Sequence, residues 1–390
     1  MPTAHPLLGT FFHTVGAASA ALCYAPQRGV KLWKWQTYWL IQALGCWLIF
    51  PWIFAVATIP ELGAVLHEAP SAAMLHSYLW GVLYGVGGIA FGVSIRYLGF
   101  SLTYALAIGV SCVLGTLLPP LMAGTLGAAL SSVGGQYVVG GVLLGGAAMV
   151  ATGWAGFRRD QEGSEPSKEF NPRIGLPICL LAGVLSAVFN FSLQAGQPVA
   201  DVAARHGAGN FQGNVIYLFS NSGAFTTTLV YCVWLASRDR SWGEFVGVRS
   251  AETEVVEAEV GTARPAGAEV GGLGASAAEA GGARPPGALV QPAGPAIPLA
   301  RNYALAALTG LLWYLQFFFY GLAHVRMGQF QFSSWAIHMI ILILLSCGFG
   351  VAIGEWKASR RSTQWLIAGA LLFLVSSVGV ITYGNYLAAP

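Results

Sequence analysis

The chain has 390 residues, 55% of them hydrophobic and only 9% charged, where a soluble domain carries ~25% charged side chains. With a mean hydropathy of +0.63, that composition excludes an ordinary soluble globule. A net charge of +3, dispersed between apolar stretches, gives no patch for nucleic acid. The six cysteines (Cys23, Cys46, Cys112, Cys179, Cys232, Cys347) stand singly with no CxxC pair, which excludes a zinc ribbon, a redox motif and a disulfide framework. No GxxxxGK[ST], HExxH or GxSxG occurs in a strand–helix setting, so no cofactor, metal or enzymatic chemistry is expected. What remains is a polytopic membrane protein.

A helix crossing ~30 Å of hydrocarbon needs about 20 mostly apolar residues. In chain order, ten windows qualify: 7–27, 36–59, 74–95, 100–120, 136–157, 174–195, 211–237, 302–323, 330–353 and 364–387. They are continuous apolar runs, not the short alternating segments of a β-barrel, so an all-α fold is predicted. The first window reads as a retained helix, because residues 1–10 carry no Lys or Arg and a signal peptide begins positive. Of the nineteen Lys and Arg residues, all but Arg205 and Arg326 fall in the loops after odd-numbered spans. The positive-inside rule then places those loops in the cytoplasm and both termini outside. Residues 239–300 are built of Ala, Gly, Pro, Val and Glu, with GTARPAGAEV at 261–270 echoed by GGARPPGALV at 281–290. Such a segment lacks large apolar side chains and is expected to be a disordered cytoplasmic linker between spans 7 and 8.

Ten spans divide into five plus five. The junction SIRYLGFSLTYALAIG between spans 3 and 4 is echoed by AHVRMGQFQFSSWAIH between spans 8 and 9, each with an Arg shortly before a Gly and then a small-residue helix start. Arg96 falls inside and Arg326 outside, so the halves are predicted to be inverted, as in secondary transporters with a midplane site. The expected organisation is a first repeat over 1–157, a cytoplasmic connection over 158–173, and a second repeat over 174–390 that contains the 239–300 linker.

FHTVGAASAALCYAP at 12–26, IRYLG at 95–99, AIGVSCVLGTLLPP at 107–120, WYLQFFFY at 313–320 and GEW at 354–356 resemble the L-rhamnose–proton symporter family, over nearly all of the membrane portion from about residue 9 to 386. That family belongs to the drug/metabolite transporter superfamily of two five-helix repeats. The resemblance implies a bacterial inner-membrane carrier importing L-rhamnose or a related sugar with a proton. It also implies a Lys near the end of span 6 and an Asp early in span 9, where this chain has Gln197 and Gln331. Those departures leave open a different sugar, or Na⁺ in place of the proton. The oligomeric state is left open too.

Every Asp and Glu is expected in a loop or at a membrane edge, which leaves histidine as the ionisable group of the spans: His13, His324 and His338. Helical spacing puts Trp313, Gln316, Phe317, Tyr320 and His324 on one face of span 8. Asn190, Gln194 and Gln197 are aligned on span 6, Asn214, Tyr217 and Asn221 on span 7, and Gln331, Trp335 and His338 on span 9. A pyranose needs amides for its hydroxyls and an aromatic face for its C–H surface. Trp313, Gln316, Tyr320, Asn190, Gln194 and Asn221 are therefore expected to bind the sugar, with His13 or His338 exchanging the proton and His324 beside them. The competing role for each amide is to glue helices together, and for each Trp or Tyr to sit at the interface. Gly81, Gly85, Gly87, Gly88 and Gly92 of span 3 read as close-packing positions. Two other readings stand beside this one: an exporter or exchanger of another metabolite, and a membrane-embedded enzyme or sensor, which the lack of a carboxylate pair or soluble domain disfavours. The orientation is testable by fusion: a reporter active only outside the cytoplasm should be active at residue 388 and silent at residue 160.

Overall fold

The structure is a computed structural model that describes residues 5–23, 25–163, 170–248, 296–352 and 354–388. Among these, every regular element is helical and none is a strand. The α-helices are α1 (Pro6–Leu22), α2 (Trp35–Leu44), α3 (Phe50–Thr58), α4 (Leu62–Glu68), α5 (Ser71–Leu98), α6 (Phe100–Met122), α7 (Leu126–Leu130), α8 (Val133–Gly163), α9 (Pro172–Arg205), α10 (Tyr217–Arg238), α11 (Leu299–His324), α12 (Ser334–Ala352) and α13 (Arg361–Leu387). Nine helical segments among the described residues are long and apolar enough to cross a membrane, which makes this a multi-pass membrane protein. The seventh predicted window, 211–237, coincides with α10, a helix of 22 residues that is not one of those nine. Its polar runs Ser220–Ser222 and Thr226–Thr228 lower its hydropathy.

Two spans differ from their predicted windows for reasons visible in the sequence. Span 2 is interrupted by a π turn over Gly45–Ile49. Pro51 has no N–H for the Trp47 carbonyl and its ring crowds that group, and a widened turn absorbs both. Span 6 runs ten residues past its predicted end, through Pro198 to Arg205. Two short helices, α4 and α7, lie in loops where none was expected.

Burial is inverted relative to a soluble protein. Leu7, Phe11, Trp52, Val230 and Trp365 point outward, while His13, Gln42, Asn302 and Asn385 are enclosed. Lipid supplies no hydrophobic drive between helices, so close packing and hydrogen bonds hold the bundle. α9 lies against α5 and α6, α11 against α1 and α2, α5 against α10, α8 against α13, and α12 against α1 and α6. Glycines make the closest of these approaches. A Cβ on Gly81 would collide with the Ser220 carbonyl, and one on Gly223 with the Tyr78 carbonyl. Gly85 and Gly87 meet α10 and α9, whereas Gly88 and Gly92 face no atom within 4 Å and are not packing positions. The junction glycines Gly99 and Gly328 both have positive φ, 79° and 65°, a conformation other residues rarely adopt.

Polar latches close both ends of the bundle. At one, His206 Nδ1 lies 3.1 Å from Glu61 Oε2 and its Nε2 2.8 Å from Glu68 Oε2, with Arg205 also paired to Glu68. At the other, the Lys34 N–H and Thr37 Oγ1 donate to Glu244 Oε2 at 2.8 and 2.7 Å, and Gln36 Nε2 donates to Asp239 Oδ2 at 3.1 Å. This corrects the expectation that disorder begins at residue 239: Trp242–Val246 forms a 3₁₀ turn with Glu244 fully buried. Residues 249–295 of that linker, and 164–169 of the inter-repeat connection, lie outside the described residues.

Two predictions follow from packing and charge. Gly81→Ala or Gly223→Ala must part α5 from α10 and should lower thermal stability by about 1–3 kcal/mol, read as a shifted melting transition in detergent. At the exposed latch, Glu68 and Glu61 raise the pKa of His206 above 6.5, while Arg205 and His206 hold Glu68 below its ordinary value. The stabilisation from His206 is then complete below pH ~6.5 and lost as pH rises through its raised value, and that from Glu68 is lost at acid pH. A melting series against pH should show both limbs, and His206→Asn should remove the alkaline one.

Candidate functional site

Prolines and amides decide which polar groups are structural. Pro119 in α6 has no N–H for the Gly115 carbonyl, four residues earlier. Asn190 Nδ2 of α9 fills that role at 2.6 Å, and Trp335 Nε1 of α12 donates to the neighbouring Ser111 carbonyl at 3.0 Å. Gly115 permits the approach, since a Cβ there would strike the Trp335 indole. α9 and α12 are thus locked onto α6, and a hollow opens beside α9.

That hollow has a volume of ≈ 430 Å³. Asn190, Leu193, Gln194 and Gln197 of α9 form one wall. Gln212, Ile216 and Tyr217, at the 3₁₀ stretch leading into α10, form the second. Tyr320 and His324 of α11, with Gln331 and Phe332 before α12, close the third. No Asp, Glu, Lys or Arg lines it. Among the described residues, Gln194, Gln212 and Gln331 have no side-chain hydrogen bond, whereas Asn190 is committed to Gly115 and Gln197 donates to Asp201 Oδ1 at 2.8 Å. The uncommitted amides can both donate to and accept from a solute's hydroxyls. A smaller hollow of ≈ 30 Å³ lies deeper, lined by Tyr84, Gln316, Phe317, Tyr320, Trp335, His338 and Met339.

Tyr320 borders both hollows and touches all three span histidines. Its ring centroid is 5.2 Å from His13, 5.6 Å from His338 and 5.8 Å from His324, and His13 and His338 are 5.7 Å apart. His13 is fully buried and His338 nearly so, and Gly16 lets α1 approach α11 and the His338 ring closely enough to assemble them. His324 Nδ1 lies 3.1 Å from Ser334 Oγ. By contrast, both His13 nitrogens, His338 Nδ1 and the Tyr320 hydroxyl have no partner among the described residues. Three such groups in one cluster are costly, at about 1–3 kcal/mol each.

The structure divides the residues that the sequence grouped. Gln194, Tyr320, Asn190 and His324 lie on the large hollow, and Gln316 and His338 on the small one. Trp313 and Asn221 line neither. Trp313 packs on Trp39 and Trp47 of span 2, with centroids 5.4 and 5.8 Å away, and Asn221 Oδ1 accepts from Ser220 Oγ. Helical spacing gave Trp313 the right face, but that face meets α2 at its level and the hollow only a turn or two later. Gln212 was not anticipated; an amide between glycines just before a span (GNFQGN) was the available sign. Nor was a buried carboxylate expected, and Glu244 is one, though at the opposite end of the bundle.

A family model described as L-rhamnose-proton symport protein (RhaT) matches residues 3–240 and 293–385. The chain belongs to this family. Among relatives, a protein named L-rhamnose-proton symporter from Cronobacter sakazakii is 29% identical over 373 residues, 95% of each chain. Proteins of the same name from Yersinia pestis and Yersinia pseudotuberculosis are 28% identical over 380 residues, 97% of this chain and 98% of theirs. The matched residues hold every helix that lines the two hollows, and the gap between the two matched stretches spans most of the Ala/Gly/Pro linker.

The two kinds of amide should separate in stability measurements. Asn190→Ala leaves the Gly115 carbonyl unanswered and should cost about 1–3 kcal/mol of thermal stability. Gln212→Ala removes no protein hydrogen bond and should leave the melting transition in place.

Proposed function

We propose that this chain imports L-rhamnose with a proton by alternating access across a bacterial inner membrane. The observation that carries the reading is a hollow walled by neutral amides and aromatic rings, sharing Tyr320 with a buried histidine cluster. A neutral polyol suits such walls, with Gln194, Gln212 and Gln331 for hydroxyls and Tyr217, Tyr320 and Phe332 for C–H surface. An imidazole can take up and release a proton, and the lining of either hollow includes no carboxylate to hold Na⁺, which favours the proton as coupling ion. The family and relatives are named as symporters, which favours import over export and over enzymatic turnover. A proton crossing about −150 mV supplies ~3.5 kcal/mol, at ~2.3 kcal/mol per 100 mV. That sustains ~300-fold sugar accumulation.

We read the bundle as ten crossings in two inverted five-helix repeats. In support, exchanging the first five crossings with the last five preserves the main helix pairings. α5 on α9 becomes α11 on α1, α6 on α9 becomes α12 on α1, and α10 on α5 becomes α2 on α11, while α8–α13 and α6–α12 map onto themselves. The latches exchange as well: a loop after the first crossing of each repeat holds carboxylates that follow the second crossing of the other. Gly99 and Gly328, with their shared positive φ, stand at equivalent junctions. An odd number of crossings per repeat forces the inversion. With the basic loops inside, the large hollow opens outward and both termini lie outside.

Uptake of labelled L-rhamnose into proteoliposomes under an imposed pH gradient tests this directly. A protonophore should abolish accumulation while leaving counterflow intact; accumulation that ignores the protonophore and follows Na⁺ would overturn the reading. Gln194→Ala and Gln212→Ala should each raise KM about tenfold, the equivalent of ~1.4 kcal/mol.

A further inference from the structure

Tyr320 belongs to both hollows, and its hydroxyl has no partner among the described residues although the residue is only 3% exposed. We infer that Tyr320 is the residue through which sugar occupancy and histidine protonation sense each other, an inference that rests on the symport reading above. The aromatic ring alone would make a wall. The hydroxyl is enclosed and unanswered, on a residue that borders a sugar-sized space and whose ring lies against His13 and His338, which is more than a wall requires.

The chemistry follows from what each partner offers. A phenol has one hydrogen to donate and lone pairs to accept with, and an imidazolium has only hydrogens to donate. When a sugar hydroxyl in the large hollow accepts the Tyr320 hydrogen, the phenol oxygen turns its lone pairs to the histidine side and favours the charged ring. When no sugar accepts it, the phenol hydrogen can instead be given to a neutral imidazole nitrogen, a bond that this structure does not make, and that would favour the uncharged ring. The proton is drawn from the water of the large hollow on loading and returned to water on release, and no covalent bond to the sugar changes. By linkage, the factor by which sugar raises proton affinity is the factor by which the proton raises sugar affinity.

The titratable neighbours are consistent with this traffic. His13 comes from α1, His338 from α12, and His324 from one turn further along α11. Tyr84 borders the small hollow and Tyr217 the large one. Arg326, two residues beyond His324, is turned over the Phe12 ring at 4.9 Å.

Tyr320→Phe keeps the ring and removes only the hydroxyl. In proteoliposomes of the full chain, with membrane abundance matched, two quantities should be read: L-rhamnose counterflow without a gradient, and protons entering per sugar. Counterflow should weaken but persist, while the proton-to-sugar ratio falls at least about tenfold, the factor given by ~1.4 kcal/mol of lost coupling. Adding His13→Gln or His338→Gln to Tyr320→Phe should lower the ratio no further, because the histidines act through the missing hydroxyl. A Tyr320→Phe protein with the wild-type ratio would overturn the assignment, as would one whose counterflow and proton flux fall in equal proportion, since that marks a binding group alone. If the wild-type protein moves L-rhamnose with no proton, the symport reading itself fails.

Discussion

Hydrocarbon offers no hydrogen-bond partner, so a polar group inside a span must be answered by the protein or must face a wet hollow. This constraint sorts the polar residues of the bundle into two populations. Asn190 answers the carbonyl freed by Pro119, Ser192 donates to the Ser77 carbonyl at 2.6 Å, Tyr38 donates to Thr309 at 2.8 Å, and Ser377 donates to the Gly141 carbonyl at 2.7 Å. Each of these bonds ties two helices that are distant in the chain, and together with the glycine contacts they replace the hydrophobic drive that lipid does not supply. Among the described groups with no such partner, Tyr320 and His338 border the hollows with His13 against Tyr320, whereas Gln42, Trp47 and Tyr314 line neither.

Read in this way, the same residue type has opposite meanings a turn apart. Asn190 and Gln194 lie on one face of α9, yet the first holds α9 to α6 and the second is free to meet a solute. The frame has to be rigid where the solute binds, because amides position a sugar only if their own backbones do not drift. Pro119 therefore contributes to the site at a distance: it creates the acceptor that makes Asn190 a fixed strut.

The two latches show how such a rigid frame could still move. One is exposed and ionic, built from His206, Arg205, Glu61 and Glu68, and screening weakens pairs of that kind. The other is buried, with Glu244 held by a backbone N–H and a threonine hydroxyl behind the Trp33 indole. The weaker latch lies at the end where the large hollow opens, and the stronger one seals the opposite end.

The sequence by itself determined the class of the molecule. Continuous apolar runs and scarce charge specify a multi-pass helical membrane protein, and WYLQFFFY and HTVGAASAALCYAP carried the family resemblance. It also singled out His13, Tyr320 and His338, because an ionisable or aromatic polar side chain in such a run is conspicuous. What periodicity could not decide was which surface each face meets. A spacing of 3.6 residues fixes an angle about one helix axis, but not whether Trp313 faces a hollow or Trp39, nor whether Asn190 bonds a sugar or a carbonyl. Those outcomes depend on neighbours more than 70 residues away. Only the tertiary structure decided them, because only there does a proline in one helix leave an acceptor for an amide in another.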